Sequence, residues 1–368
     1  MSKCQLLPHS LWRDYPGNAH RSMRSVLCLF LLACCLLVSP ARAVTDFGVI
    51  YSGQKDDRVF NSMVVSAIGR FEYQDKVNFR QRVIVEQQDS ADAIRAFVER
   101  GITTLVLVGF IHEQALQEMA PRYPHARFTI IDGNVTASNV RAIRFREQEA
   151  GFLAGMAAAY ASRAARVGFI GAVATPPVQR FGCGFIQGVK QARPMPVLAR
   201  YMTTNMDGFR DRRLARNVAS DMLAEGADVI FPAAGLASRD ALLAAAQAGK
   251  YGIGVDSDQE DLAPGHIVTT AVKRIDVAVT VALRELIDGT WKPGNIEMGI
   301  AEGGVDWVRT GADRFLSEQQ ISAIEAAKAK ITAGRLKVVA REPACEQHGV
   351  IPEPSGGRSD GGPSIPSP

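Results

Sequence analysis

Ten short runs rich in β-branched and other apolar residues, separated by longer amphipathic stretches, restrict the fold of this chain more than any other feature. They lie at 47–51, 82–86, 104–108, 128–131, 141–145, 167–170, 197–202, 229–231, 251–255 and 267–272. Between several of them apolar residues recur with helical spacing, as at 92–100 and 213–225. Strands alternating with helices make βαβ units, and such units build parallel sheets. Leu105-Val106-Leu107-Val108 is apolar on both alternations, which suits a strand covered by helices on both faces. Ten strands exceed what one open sheet of this length usually carries, so the expected class is α/β with two doubly wound parallel sheets.

The same pattern suggests how the chain divides. A strand runs into the helical stretch 151–165, placing a crossing between lobes near 145–149, and a return is expected around 269–287. The first lobe is thus assigned 44–146 and about 269–290, the second 147–268 and about 291–342. Pro, Gly and Ser dominate 343–368 and no apolar period survives there, so that stretch reads as a disordered tail.

The N-terminus explains the charge. Arg21 and Arg24 precede an apolar run at 26–38, followed by Ser39-Pro40 and then Ala41-Arg42-Ala43. This is a signal peptide with cleavage after Ala43, and Met23 is its expected start. A lipobox at Leu31-Leu32-Ala33-Cys34, with Cys34 acylated, is the alternative. The chain holds 42 Lys and Arg against 38 Asp and Glu; setting aside Lys3, Arg13, Arg21, Arg24, Arg42 and Asp14 leaves 37 of each. The remaining body is neutral and offers no electrostatic footprint for nucleic acid. Four of the six cysteines precede residue 44, so only Cys183 and Cys345 reach an oxidising compartment. A disulfide between them is one reading, and a buried small hydrophobe is the favoured role for Cys183.

Enzyme signatures are missing where this class would carry them. There is no G-x-G-x-x-G after the first strand, no P-loop lysine and no G-x-S-x-G elbow. His112, His125, His266 and His348 are scattered, Asp256-Ser257-Asp258 alone is a weak cation site, and no metal or cofactor is expected. Polar and aromatic residues instead gather just after strands, where parallel sheets bind ligands. They are Tyr51, the loop at 52–58 leading to Phe60-Asn61, Asp132-Gly133, the turn at Gly235, Asp256 and Lys273. Each has a plainer reading as well: Asp57 as a helix cap, Gly235 as a tight turn, Lys273 as a solvated charge.

Asp56-Asp57-Arg58-Val59-Phe60-Asn61 resembles the D-K-S-F-N motif of the basic membrane protein family, the ABC-transporter substrate-binding proteins that include purine-nucleoside receptors. Val167-Gly168-Phe169-Ile170-Gly171 with Arg180-Phe181 and Gly184-Phe185, then 227–235, then 253–259 with Val272-Lys273-Arg274, are similar to further blocks of that family, in order across 46–337. The resemblance implies a type I periplasmic-binding fold with a hinged cleft. It also implies a purine stacked between Phe60 and Phe209, a ribose held by Asp256 with Lys273 beside it, a backbone contact at Gly235, and an acidic contact at Asp132. Asp57 and Asn61 of the motif and Tyr51 at the first strand end complete the expected site. Tyr51 departs from the family, which carries a base-reading aspartate there. The turn after Gly235 lacks further glycines.

The expectation is therefore a monomeric, periplasmic, non-enzymatic binding protein that closes on a nucleoside or related heterocycle and docks on an inner-membrane ABC permease. Alternatives are a sugar or polyol ligand, and a ligand sensor for a membrane receptor, on the same fold.

Overall fold

The computed structural model describes residues 46–75, 77–341 and 343–347. The expected signal peptide, its cleavage after Ala43 and the acylation alternative at Cys34 lie outside the described residues. The described residues form two six-stranded sheets. The first comprises β1 (Asp46–Ser52), β2 (Asn78–Ile84), β3 (Thr104–Val108), β4 (Arg127–Ile131), β5 (Val140–Phe145) and β11 (Gly294–Met298). Its order is β2-β1-β3-β4-β5-β11, with every pairing parallel. The second comprises β6 (Val167–Gly171), β7 (Val197–Tyr201), β8 (Val229–Ala233), β9 (Tyr251–Asp256), β10 (Ile267–Lys273) and β12 (Val305–Trp307). Its order is β7-β6-β8-β9-β10-β12, parallel except for the antiparallel β10–β12 edge.

Strand alternation explains the runs. In the first sheet Val49, Val106, Val108 and Ile143 join one core, while Ile50, Leu105, Leu107, Ile130 and Ala142 join another on the opposite face. The run at 82–86 pointed to β2 but misplaced it. This edge strand buries only Phe79 and Ile84, and Val83 and Val85 stand exposed. β11 and β12 escaped detection, because Gly294–Met298 is mostly polar and Val305–Trp307 has three residues.

Within the described residues the backbone passes between the sheets three times. β5 leads into α4 (Glu147–Ala161), β10 leads into α8 (Ile275–Ile287), and the segment 299–304 joins β11 to β12. Two expected boundaries are corrected by the pairing. Residues 269–273 belong to the second sheet, because β10 is hydrogen-bonded along β9, and the passage back begins only after Lys273. Residues 294–298 belong to the first sheet, through a parallel ladder with β5. α8 lies on the first sheet's side, where its Arg284 pairs with Asp75 and stacks over Phe71 of α1 (Asn61–Asp75), at 5.0 Å from the ring centroid. Arg146 and the 299–304 segment interlock through Glu149 and Glu302, and Arg274 N–H donates to Gly304 O.

α4 is buried on nearly every side, as a helix that is apolar all round beyond its first turn must be. Its partner is α5 (Pro176–Ala192), which contacts it through facing glycines. A methyl on Gly188 would stand 1.9 Å from Phe152 O, and one on Gly155 would stand 2.1 Å from Phe185 O. The two backbones approach closer than any side chain there permits.

The assignment of 343–368 to a disordered tail is corrected for its first residues. Residues 343–347 form a helical turn, α10 (Pro343–Gln347), and its buried Cys345 is disulfide-bonded to Cys183 of α5, with Cα atoms 5.1 Å apart. Cys183 is therefore a bridge and not simply a small hydrophobe. Gln187 of α5 fastens the same segment, donating to Val339 O at 2.8 Å and accepting from Val339 N–H at 3.1 Å. Residues 348–368 lie outside the described residues.

Candidate functional site

The carboxyl ends of the two sheets bring a charged cluster together from four separate parts of the chain. Lys273, the last residue of β10, is buried, and its Nζ stands 2.7 Å from Asp132 Oδ1 and 2.8 Å from Glu147 Oε1. Asp132 follows β4, and Glu147 opens α4 at the first passage between sheets. Arg180 of α5 donates from Nε to Glu147 Oε2 at 2.5 Å. The Lys273 ammonium also lies 5.0 Å from the Phe145 ring centroid and 5.9 Å from that of Phe60, within cation–π range.

Asp256 completes the cluster on different terms. It ends β9 with φ of 65°, and Asp132 has φ of 63°, so both acids occupy the left-handed region that non-glycine residues seldom enter. Such strain persists only where surrounding structure enforces it. Around Asp256 the enforcement is a buried polar net: Gln259 Oε1 accepts from Val255 N–H at 2.9 Å, and Gln259 N–H donates to Thr270 Oγ1 at 3.3 Å. Among the described residues nothing hydrogen-bonds the Asp256 carboxyl.

Electrostatics separates these acids. Burial works against the Lys273 charge, but the carboxylates of Asp132, Glu147 and Asp256 outweigh it and hold the lysine above its ordinary value. Burial raises Asp132 despite the neighbouring ammonium. Glu147, although buried, is held below the carboxylate range by Lys273 and Arg180 together. Asp256 is raised to about 7, by burial first, opposed by Lys273 and reinforced by the Asp132, Asp57 and Glu147 carboxylates. Two cations thus serve three acids, and Asp256 is the acid left short of a counter-charge.

The loop after β1 carries Phe60, half-buried, beside this cluster. Asp57 takes its plainer role of shaping the loop: Oδ1 accepts from Val59 N–H, Ser62 N–H and Ser62 Oγ, and Oδ2 from Asn61 N–H at 2.8 Å. Asn61 donates to Ser52 O and Gln54 O, both at 2.9 Å, and its Oδ1 is buried without a partner. Tyr51 is apart from the cluster. It is fully buried in the core, its hydroxyl donates to Gln81 Oε1 at 3.2 Å, and Lys55 lies over its ring.

From the second sheet, Phe209 ends a 3-10 turn after β7 and packs on Gly235, whose φ is 55°. A methyl on Gly235 would stand 3.2 Å from Phe209 Cδ1. Phe209 faces Phe110 of the first lobe, with centroids 6.2 Å apart and planes at 57°. A second contact across the cleft is Ser257 Oγ donating to Arg58 O at 3.2 Å. The structure therefore gathers Asp132, Asp256, Lys273 and Phe60, gives Phe209 and Gly235 a shared surface, leaves Asp57 and Asn61 supporting the loop, and sets Tyr51 outside. Glu147, Arg180 and Phe110 were absent from the sequence-based site. Glu147 reads as an ordinary acid in a first helical turn, where acids are common on any helix.

A family model described as ABC transporter substrate-binding protein PnrA-like (Bmp) matches residues 44–342. The chain belongs to this family. An uncharacterized lipoprotein of Pyrococcus abyssi is 32% identical over 282 residues, covering 72% of this chain and 69% of that one. Basic membrane protein D of Borreliella burgdorferi is 30% identical over 287 residues, covering 76% and 80%. Among solved structures, an ABC transporter solute-binding protein from Aeropyrum pernix superposes with a TM-score of 0.73 at 25% identity, covering 81% of this chain and 94% of that one. A solute-binding protein from Conexibacter woesei gives 0.65 at 20% identity, covering 80% and 99%, and bears on fold alone. The Bmp-family chain has the type I periplasmic-binding fold and is a substrate-binding protein of the ABC-transporter class.

Proposed function

We propose that this Bmp-family protein binds a purine nucleoside or related heterocycle between its lobes and delivers it to an ABC permease. The observation that carries the reading is the Asp256 carboxyl: half-buried, held in a strained turn, flanked by Lys273 and lacking any hydrogen bond among the described residues. A group so placed accepts two vicinal hydroxyls of a furanose, and charge-assisted bonds of this kind are the strong ones. Phe60 and Phe209 supply aromatic faces for a flat base, each worth about 1–3 kcal/mol in comparable stacking sites. Lys273 opposes the burial that raises Asp132 and Asp256, and Asp132 and Glu147 hold its ammonium in place.

The protein works outside the cytoplasm. The Cys183–Cys345 bridge fits an oxidising compartment, the N-terminal sequence fits export, and no helix among the described residues is long and apolar enough to cross a membrane. Ligand is enclosed by hinge motion about the three passages between sheets, and the closed form docks on the permease.

A second reading is a pentose or other polyol. It is favoured by Tyr51, which stands where related receptors carry a base-reading acid and whose hydroxyl is committed to Gln81. Calorimetric titration of the full chain, refolded free of carried-over ligand, against inosine, guanosine, adenine and ribose separates the two. Micromolar or tighter nucleoside binding that is weakened in Phe209→Ala supports the nucleoside reading. Ribose binding indifferent to Phe209→Ala replaces it with the polyol reading.

A further inference from the structure

The strand order of the first sheet reverses direction between β1 and β3, and in open α/β sheets that point opens the ligand crevice. Each flanking loop raises one half-buried phenylalanine there, Phe60 after β1 and Phe110 after β3. The Phe110 loop is fixed in place. Gly109 has φ of 106°, donates N–H to Ile131 O at 2.8 Å, and sits so close to the β1 loop that a methyl on it would stand 2.6 Å from Ser52 Oγ. Phe209 is held from the other lobe by its 3-10 turn, which Asn205 caps by accepting from Asp207 N–H at 3.0 Å. Between these two anchored backbones the rings meet at 6.2 Å and 57°, inside the range where tilted aromatic pairs attract.

We infer that Phe110 is a positioning residue of the binding site: it sets the tilt of the Phe209 ring across the cleft, so that the ring is oriented when ligand is enclosed. The use made of that orientation rests on the stacking role given to Phe209 above. Gly235 supports Phe209 from within the second lobe, and Phe110 is its aromatic neighbour from the first. The contact spans the cleft in the ligand-free structure, which ties ring orientation to the approach of the lobes. Preorganisation of this kind lowers the ordering cost of binding and acts on dissociation more than on association.

The test places 4-fluorophenylalanine at position 209 of the full chain and follows its fluorine resonance and the affinity for inosine. With inosine bound, Phe110→Leu is expected to shift the resonance and to raise Kd about threefold to tenfold through faster dissociation. Phe110→Tyr is expected to restore both, with thermal midpoints of all variants alike. The losses in Phe110→Leu and Phe209→Ala are expected to be less than additive, since the first acts through the second. An unmoved resonance and unchanged Kd in Phe110→Leu would overturn the inference, as would an affinity loss that merely tracks lost stability. If inosine fails to bind the unmodified chain, the nucleoside reading falls by itself. The ligand-free resonance then decides the positioning claim: dependence on Phe110 upholds it and independence overturns it.

Discussion

Lys273 Nζ and Asp132 Oδ1 meet at 2.7 Å, joining the last residue of a second-sheet strand to the loop after a first-sheet strand. The pair is buried on both sides, with side chains 3% and 6% exposed. An ion pair so enclosed contributes little net stability when intact, but removing one partner strands the other charge in a poorly solvated place. Its position makes it a register between the lobes as well as a part of the site.

Lys273→Met should accordingly destabilise the protein by about 3–5 kcal/mol in chemical denaturation and abolish ligand binding. Adding Asp132→Asn to Lys273→Met should recover part of the stability, because one stranded carboxylate is removed, without recovering binding. Equal stability of Lys273→Met and the parent would show the cluster to be solvated rather than enclosed.

On the proposed reading, Asp256 links binding to protons. Its carboxyl titrates near 7 in the ligand-free fold, and hydroxyl donors prefer the ionised form. Binding should therefore release a proton near neutral pH and weaken as pH falls below about 7, approaching tenfold per unit. Calorimetry in buffers of differing ionisation enthalpy measures the release, and Asp256→Asn should eliminate it while weakening binding.

Two groups, His112 and Asp256, pull stability in opposite directions with pH. His112 is fully buried beside Ser90, with Nδ1 3.0 Å from Oγ, and burial lowers it to about 4. The unfolded chain takes up this proton near 6.5 and the folded one does not, so stability present above that pH is lost as pH falls towards 4. Asp256, raised from 3.8 to about 7, does the reverse: the folded chain keeps a proton the unfolded chain has released, so stability falls as pH rises through that window. The slopes should offset each other in the parent. Denaturation series should show stability rising with pH in Asp256→Asn and falling with pH in His112→Asn. Parallel profiles for all three proteins would refute the opposition.

The Cys183–Cys345 bridge encloses a sequence separation of 162 residues. Constraint of so long a loop in the unfolded state gives a stabilisation of about 2–5 kcal/mol. Cys345→Ser should lower stability by that amount and make it insensitive to reductant, while leaving ligand affinity in place. Gly188→Ala, which drives a methyl into the α4–α5 contact, should cost about 3 kcal/mol or more or prevent folding.

Much of the fold was legible because its strands are covered on both faces, which makes runs such as Leu105-Val106-Leu107-Val108 nearly continuous. The convergence of the candidate residues was legible in part for a related reason: parallel topology puts every strand's carboxyl end on one side, so Asp132, Asp256 and Lys273 meet from distant sequence. What escaped or was left open lacked a local signal. β11 is polar at an edge, and the pairing of Cys183 with Cys345 depends on long-range proximity. Tyr51 stands at a strand end like the other candidates, yet strand alternation turns it into the core beside Val49.

A crystal structure of the full chain with inosine tests the central claim most directly. The base is expected between Phe60 and Phe209, both ribose hydroxyls on the Asp256 carboxylate, and Lys273 still bridging Asp132 and Glu147. Inosine bound elsewhere, or a ribose turned away from Asp256 at full occupancy, would contradict it.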